Sequence, residues 1–303
     1  MSLSAVNPEQ TIIVSRNVGT GRIIRQDNGI ATGSWGAFLL ETAFQPIFAF
    51  QPGEKPRLVA YEGLVRPSLG GERISPMIFF SAIAAGERLD VETMTRTLHL
   101  LNGAAWLPQD TSIFVNFDPS LFTERAVADS ALRDMRLVME EAGIAPGRVV
   151  CELTEQKAPS AAALRAFVEA LRANGLRVAI DDYGAENSDI RRVKALQPDI
   201  VKFDAQWIGR LMVTGAGFAL LTAMVEKFAE QGITTVFEGI EESWQLELAE
   251  KSGASMVQGY VLARPEIVSP GFGGRVKEAA GAASARQAPS GSTVARTTRK
   301  KSS

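Results

Sequence analysis

One cysteine, one histidine and three tyrosines in 303 residues exclude several kinds of chemistry at once. Cys151 alone cannot close a disulfide, so a reducing, cytoplasmic setting is expected. With His99 as the lone imidazole, a zinc site built from His and Cys ligands is excluded. His99 falls inside an expected helix and reads as a surface or helix-packing residue. Apolar runs such as Met77 to Ala85 are far shorter than the ~20 residues that span a bilayer, so no transmembrane segment is expected. Met1-Ser2-Leu3-Ser4 lacks the basic start and apolar core of a secretory signal. Net charge is also small, at -2, but it is unevenly placed. Residues 271–303 carry seven Arg or Lys and one Glu, which leaves -8 on residues 1–270. The acidic body makes DNA a poor partner. The tail is rich in Gly, Ala, Ser and Arg and lacks bulky apolar residues, so 269–303 is expected to be a disordered basic extension.

What is present is a 46% apolar chain with a recurring grammar. Ser160 to Gly175 reads as an amphipathic helix, with Leu164, Phe167, Val168 and Leu171 on one face, Ser160 as cap and Gly175 as stop. A short apolar strand comes next and ends in Asp181-Asp182-Tyr183-Gly184. Further strands are expected at Phe44–Phe50, Leu58–Leu64, Ser112–Asn116, Arg148–Glu152, Asp199–Phe203, Ile233–Phe237 and Ser255–Gln258, with helices between most of them. Strands spaced by helices imply βα units and parallel pairing, and eight strands favour a closed (β/α)₈ barrel over an open sheet. The barrel is expected over 35–268. Residues 1–34 form an N-terminal extension that reads as a small hairpin or a flexible lead.

In such a barrel the carboxyl ends of the strands share one rim, where chemistry is housed. Glu62, Asn116, Glu152, Asp181 with Asp182, Lys202, Glu238 and Gln258 all fall at or near strand ends. Several acids on one rim repel unless cations neutralise them. Oxygen donors without His or Cys point to Mg²⁺ or Mn²⁺. Two such ions about 4 Å apart suit in-line phosphoryl displacement. Lys202 adds positive charge, and Arg66 has the planar fork that grips phosphate.

These residues also carry a family signature. Phe44-Gln45-Pro46-Ile47, Glu62-Gly63-Leu64-Val65-Arg66, Asn116, Glu152-Leu153-Thr154-Glu155, Asp181-Asp182-Tyr183-Gly184, Lys202-Phe203-Asp204, Glu238-Gly239-Ile240-Glu241 and Gln258-Gly259-Tyr260 occur in that order. The chain thereby resembles the EAL-domain family of bacterial cyclic di-GMP phosphodiesterases. The resemblance implies an α/β fold, a modified (β/α)₈ barrel with one antiparallel strand, commonly dimeric around the loop after Asp182. It implies hydrolysis of cyclic di-GMP to linear pGpG with two Mg²⁺ or Mn²⁺ ions. Glu62, Asn116, Glu152, Asp181 and Asp182 are the implied metal ligands, Lys202 orients the attacking water, and Glu238 is the base. Gln45, Leu64, Arg66, Asp204, Glu241 and Gln258 are implied near the substrate, and Glu155 steadies the loop after the acid pair.

The chain departs from that pattern in two places. Gly63 replaces the alanine of the Glu-Ala-Leu motif. The loop Ala185-Glu186-Asn187-Ser188-Asp189-Ile190 lacks the glycine and aromatic of active relatives, with Glu186 where a second glycine stands. A working phosphodiesterase, a cyclic di-GMP receptor that scarcely cleaves, and a protein-interaction module with a protein partner are the three readings this leaves.

Overall fold

A computed structural model describes residues 12–122, 124–154, 156, 158–185 and 190–272. The expectations for Glu155, for Glu186 and its neighbours up to Asp189, and for the tail beyond 272 lie outside these residues.

The chain opens with three antiparallel strands, β1 (Ile12–Val18), β2 (Gly21–Gln26) and β3 (Ala31–Trp35). β3 pairs with the first half of β4 (Phe38–Ala49), which joins this small sheet to the longer strands of the barrel. β4 turns through Pro52-Gly53 into β5 (Arg57–Leu69), and the two pair along almost their whole length. Both exceed the expected Phe44–Phe50 and Leu58–Leu64 because their outer halves form a ribbon covered by β3 and by helix α2. After the two-residue β6 (Glu72–Arg73), Ser75 caps α1 (Pro76–Ala82), whose proline stands in the first turn where no N–H is needed. α2 (Arg88–Trp106) buries Val91, Met94, Leu98 and Leu101, the face its spacing predicts. Met94 and Leu98 press on Gly33 of β3.

The chain then alternates: β7 (Ser112–Phe117), α3 (Arg125–Ala142), β8 (Val149–Leu153), α4 (Ala161–Ala173), β9 (Arg177–Tyr183), α5 (Ile190–Leu196), β10 (Ile200–Phe203), α6 (Ala205–Met212), α7 (Gly215–Glu230), β11 (Thr234–Phe237), α8 (Ser243–Lys251), β12 (Met256–Val257) and β13 (Glu266–Ile267). Ser160 caps α4 and Gly175, at φ 74°, stands just past its end. α6 has no expected counterpart, because eight residues leave too little periodicity to read; the Asp204 carboxylate starts it by accepting from the Trp207 N–H at 2.8 Å.

Eight strands close on themselves in the order β4-β12-β11-β10-β9-β8-β7-β5 and back to β4. All are parallel except β4, which runs antiparallel to both neighbours. This is the modified (β/α)₈ barrel with one reversed strand. Its interior is filled by Ile47, Ala60, Phe114, Val150, Ala179, Ile200 and Val236, with Met256 against them. A larger apolar layer lies between the strands and the surrounding helices. Among the described residues no helix is long and apolar enough to cross a membrane.

Gly63 has a reason to depart from alanine. A methyl there would sit 2.7–3.0 Å from Cγ, Cβ and Cδ2 of His99. His99 is the helix-packing residue the sequence allowed, 4% exposed and turned inward from α2. Thr42 Oγ1 accepts from Asn102 Nδ2 at 3.1 Å and shares a hydrogen bond with His99 Nδ1 at 3.0 Å. Burial, aided by Arg66 and Arg96, pushes the His99 pKa down to about 3, so the ring is neutral. Gly63→Ala is expected to destabilise by ~1–3 kcal/mol through overpacking. Combined with His99→Ala, the loss should fall below the sum of the single losses, by urea denaturation; additive losses would mean the two sites do not share this space.

Candidate active site

The barrel interior generates the site by simple periodicity. Side chains two residues apart on a strand share a face. One step beyond the interior layer therefore leads from Ala60 to Glu62, Phe114 to Asn116, Val150 to Glu152, Ala179 to Asp181, Ile200 to Lys202, Val236 to Glu238 and Met256 to Gln258. On the reversed strand β4 the step runs backwards, from Ile47 to Gln45, which pairs with Glu62. Eight strands thus contribute one polar residue each to the layer at the carboxyl ends of the parallel strands. Gln45, Glu62, Asn116, Glu152, Asp181, Lys202, Glu238 and Gln258 all belong to it.

Lys202 stands at its centre. Nζ lies 2.6 Å from Glu152 Oε1, 2.6 Å from Glu238 Oε1, 3.2 Å from Asp181 Oδ1 and 3.4 Å from Glu62 Oε2. Glu62 Oε2 also accepts from Gln258 Nε2 at 2.8 Å. The ammonium is 1% exposed and Glu152 is fully buried. Burial alone lowers a lysine pKa, but the four carboxylates overcome it and hold Lys202 well above its usual range. Burial raises Glu152 well above the carboxylate range, with Glu62 and Asp181 adding repulsion and Lys202 opposing. Burial likewise pushes Glu238 up to about 8, with Lys202 opposing and Asp181 and Glu62 adding.

Asp182 joins Asp181 through a defect in the strand. Val201 pairs with Ile180 and Phe203 with Tyr183, so two residues of β9, Asp181 and Asp182, stand opposite Lys202 alone. In regular β structure adjacent side chains point to opposite faces; the bulge, with Asp182 at φ 52°, cancels that alternation. As a result, oxygens of Asp181, Asp182 and Glu238 lie within 4.8 Å of one another. The bulge is anchored on the far side by the buried Tyr183 ring against Phe203, Trp207 and Phe228. Gly184 comes next at φ 99°, where a Cβ would stand 2.4 Å from the Trp207 ring. Only glycine meets both conditions.

The donor set fits a hard divalent cation. All the donors are oxygens, Glu152 Oε2 and Gln258 Oε1 are buried without a hydrogen-bond partner, and four carboxylates face a single ammonium. Glu238, which the resemblance assigns as base, shares its carboxylate cluster with Asp181 and Asp182. Leu64 and Arg66, the latter half-buried, line a cavity of about 440 Å³ beside Asn116. Burial lowers the Arg66 pKa. Asp204 is occupied as the α6 cap, and Glu241 is exposed on the loop before α8, its N–H bound by Gln245. The pair of buried Arg96 and partly buried Glu92 behind Asn116 has no counterpart in the expectations; an i, i+4 acid–base pair ordinarily reads as a solvated helix face.

The raised pKa of Glu238 ties ion uptake to pH. Between about pH 4.5 and 8 the folded metal-free protein holds a proton on Glu238 that the unfolded chain has lost, so its stability falls as pH rises through that window. The groups facing Glu238 are Lys202, Asp181, Asp182 and Glu62. A divalent ion beside Glu238 favours its charged form, so Mn²⁺ affinity is expected to rise with pH up to about 8 and binding at pH 7 to release a proton. Calorimetry in two buffers of different ionisation enthalpy measures this, and uptake without proton release would contradict it.

Residues 37–265 match the EAL domain family. Among curated relatives, the cyclic di-GMP phosphodiesterase RocR of Pseudomonas aeruginosa is 30% identical over 163 residues, 53% of this chain and 40% of that protein. The cyclic di-GMP phosphodiesterase PdeL of Escherichia coli is 27% identical over 228 residues, 73% of this chain and 61% of that protein. The chain spans only 28% of the length of another relative, so it corresponds to part of these larger proteins. Among solved structures, the calcium and cyclic di-GMP complex of Klebsiella pneumoniae BlrP1 has a TM-score of 0.65 at 28% identity, covering 75% of this chain and 56% of that one. The complex of Bacillus subtilis YkuI with cyclic di-GMP and calcium has a TM-score of 0.66 at 25% identity, covering 80% and 61%. With the family match covering three quarters of the sequence, and the reversed-strand barrel and acid layer in place, the chain belongs to the EAL-domain family.

Proposed function

We propose that the chain hydrolyses one phosphodiester bond of cyclic di-GMP to give linear pGpG. The observation that carries this reading is the layer of eight polar residues, one per strand, with Lys202 held among four carboxylates. Relatives solved with cyclic di-GMP and either calcium or manganese supply the ligand class. In this reading Glu62, Asn116, Glu152, Asp181 and Asp182 hold two Mg²⁺ or Mn²⁺ ions. Bound there, the ions neutralise phosphoryl oxygen charge and acidify water.

The protein side chains do the rest. Arg66 grips the phosphate, with Gln45, Leu64 and Gln258 around it. Lys202 orients the attacking water. Glu238 takes the water proton as the P–O3′ bond breaks and returns it to the leaving 3′ oxygen. Asp204 and Glu241 act at the margin of the nucleotide, Asp204 through the α6 start it caps. A dimer formed around the loop after Asp182 completes the proposal.

Turnover of cyclic di-GMP with Mg²⁺, Mn²⁺ or Ca²⁺, run beside Glu62→Ala, tests it. Conversion to pGpG with Mn²⁺ or Mg²⁺, little with Ca²⁺ and none in the variant is the expected result. Saturable nucleotide binding without turnover would replace the enzyme by a receptor, and absence of both would leave an interaction module.

A further inference from the structure

We infer that Glu92 and Arg96 of α2 are positioning residues for Asn116, gripping the tip of β7 from outside the barrel. The inference rests on the proposed role of Asn116 at the metal site. Arg96 is 4% exposed and its Nη1 lies 3.2 Å from Glu92 Oε2. The same Nη1 donates to the Asn116 carbonyl at 3.5 Å, and Nη2 donates to Thr93 Oγ1 at 3.2 Å. The guanidinium carbon stands 4.2 Å from the centre of the Phe117 ring. Glu92 Oε2 accepts from the Asp118 N–H at 3.3 Å. One ion pair therefore holds three consecutive residues: the carbonyl of the first, the ring of the second and the amide of the third.

Stability alone is a weak reason for such a pair. A buried ion pair is often replaceable by apolar residues at no cost, because desolvation offsets the attraction. Apolar residues cannot, however, bind a carbonyl and an amide on one strand tip. Arginine suits the task through its plane, which stacks on a ring while its edge donates, whereas the lysine ammonium is a point charge. Asn116 lies in the polar layer between the strands carrying Glu62 and Glu152, and its backbone pairs with Glu152. A shift of the β7 tip would carry its carboxamide away from both acids. The pair also lines the cavity shared by Leu64 and Arg66, so one helix face serves the metal side and the nucleotide side.

Arg96→Met and Arg96→Lys, each made in the wild type and in Asn116→Ala, test the inference by Mn²⁺ calorimetry and by kcat and KM for cyclic di-GMP. In the wild-type background Arg96→Met is expected to weaken Mn²⁺ uptake about 10–100-fold and to lower kcat, as outer-shell losses do. In the Asn116→Ala background it should add less than about twofold, because the residue it acts through is gone. Arg96→Lys should restore charge without restoring affinity. Equal losses in both backgrounds would overturn the inference. Hydrogen exchange reads the grip independently of any ion: the Asp118 amide should exchange at least about tenfold faster in Glu92→Leu while β7 stays protected. If the wild type takes up no Mn²⁺, the proposed metal site fails and this exchange decides, an unchanged Asp118 rate overturning the positioning role as well.

Discussion

Lys202→Met is expected to lower the melting temperature of the metal-free protein by roughly 6–20 °C at pH 8. That range comes from a loss of about 3–5 kcal/mol on breaking a buried charge arrangement, at about 2–4 °C per kcal/mol for a domain of this size. The ammonium is the common partner of Glu62, Glu152, Asp181 and Glu238, and its removal leaves four carboxylates converging with no cation. The effect should shrink towards pH 5. Glu152 and Glu238, already raised by burial, then take up protons and the repulsion fades. Saturating Mn²⁺ should return much of the stability to the variant while turnover stays low, because the ion replaces the charge but not the ammonium proposed to orient water. Thermal denaturation at both pH values, with and without Mn²⁺, separates these contributions. A metal-free variant as stable as the wild type at pH 8 would show that the carboxylates do not meet as described.

The barrel was legible because its strands are apolar, short and separated by helices with ordinary caps. All eight expected strands are there, and Ser160 and Gly175 mark the ends of α4 as their chemistry predicts. The polar layer was legible too, and for a stronger reason than strand ends alone: each member lies two positions from an inward apolar residue. Three features cannot be read from composition or periodicity. The reversed direction of β4 leaves no mark in composition, since a strand reads the same both ways; only the family resemblance supplied it. The inward turn of Asp182 contradicts strict alternation and depends on a bulge and on a ring cluster distant in sequence. The Glu92–Arg96 pair looks like a solvated helical salt bridge until β7 is laid against it. Gly63 and His99 belong to the same class. Each is a departure by itself, and the two make sense only as a pair brought together from β5 and α2.

Asp181→Asn should reduce turnover further than Glu238→Gln. A general base contributes ~10²–10⁴-fold, so Glu238→Gln is expected to fall within that range. Asp181 lies where the two parts of the site overlap, 3.2 Å from Lys202 and within the cluster shared with Asp182 and Glu238. Replacing it removes charge that the proposed ions need and should cost more than ~10⁴-fold, because ion affinity and charge stabilisation go together. Stability separates this from a folding defect. With four carboxylates around one ammonium, loss of a single negative charge relieves repulsion, so metal-free Asp181→Asn should melt no lower than the wild type. Stabilisation by Mn²⁺ should nearly vanish in that variant and persist, weakened, in Glu238→Gln. The opposite ranking, with Glu238→Gln the less active and Asp181→Asn still protected by Mn²⁺, would place the ion on Glu238 and move the base elsewhere in the layer.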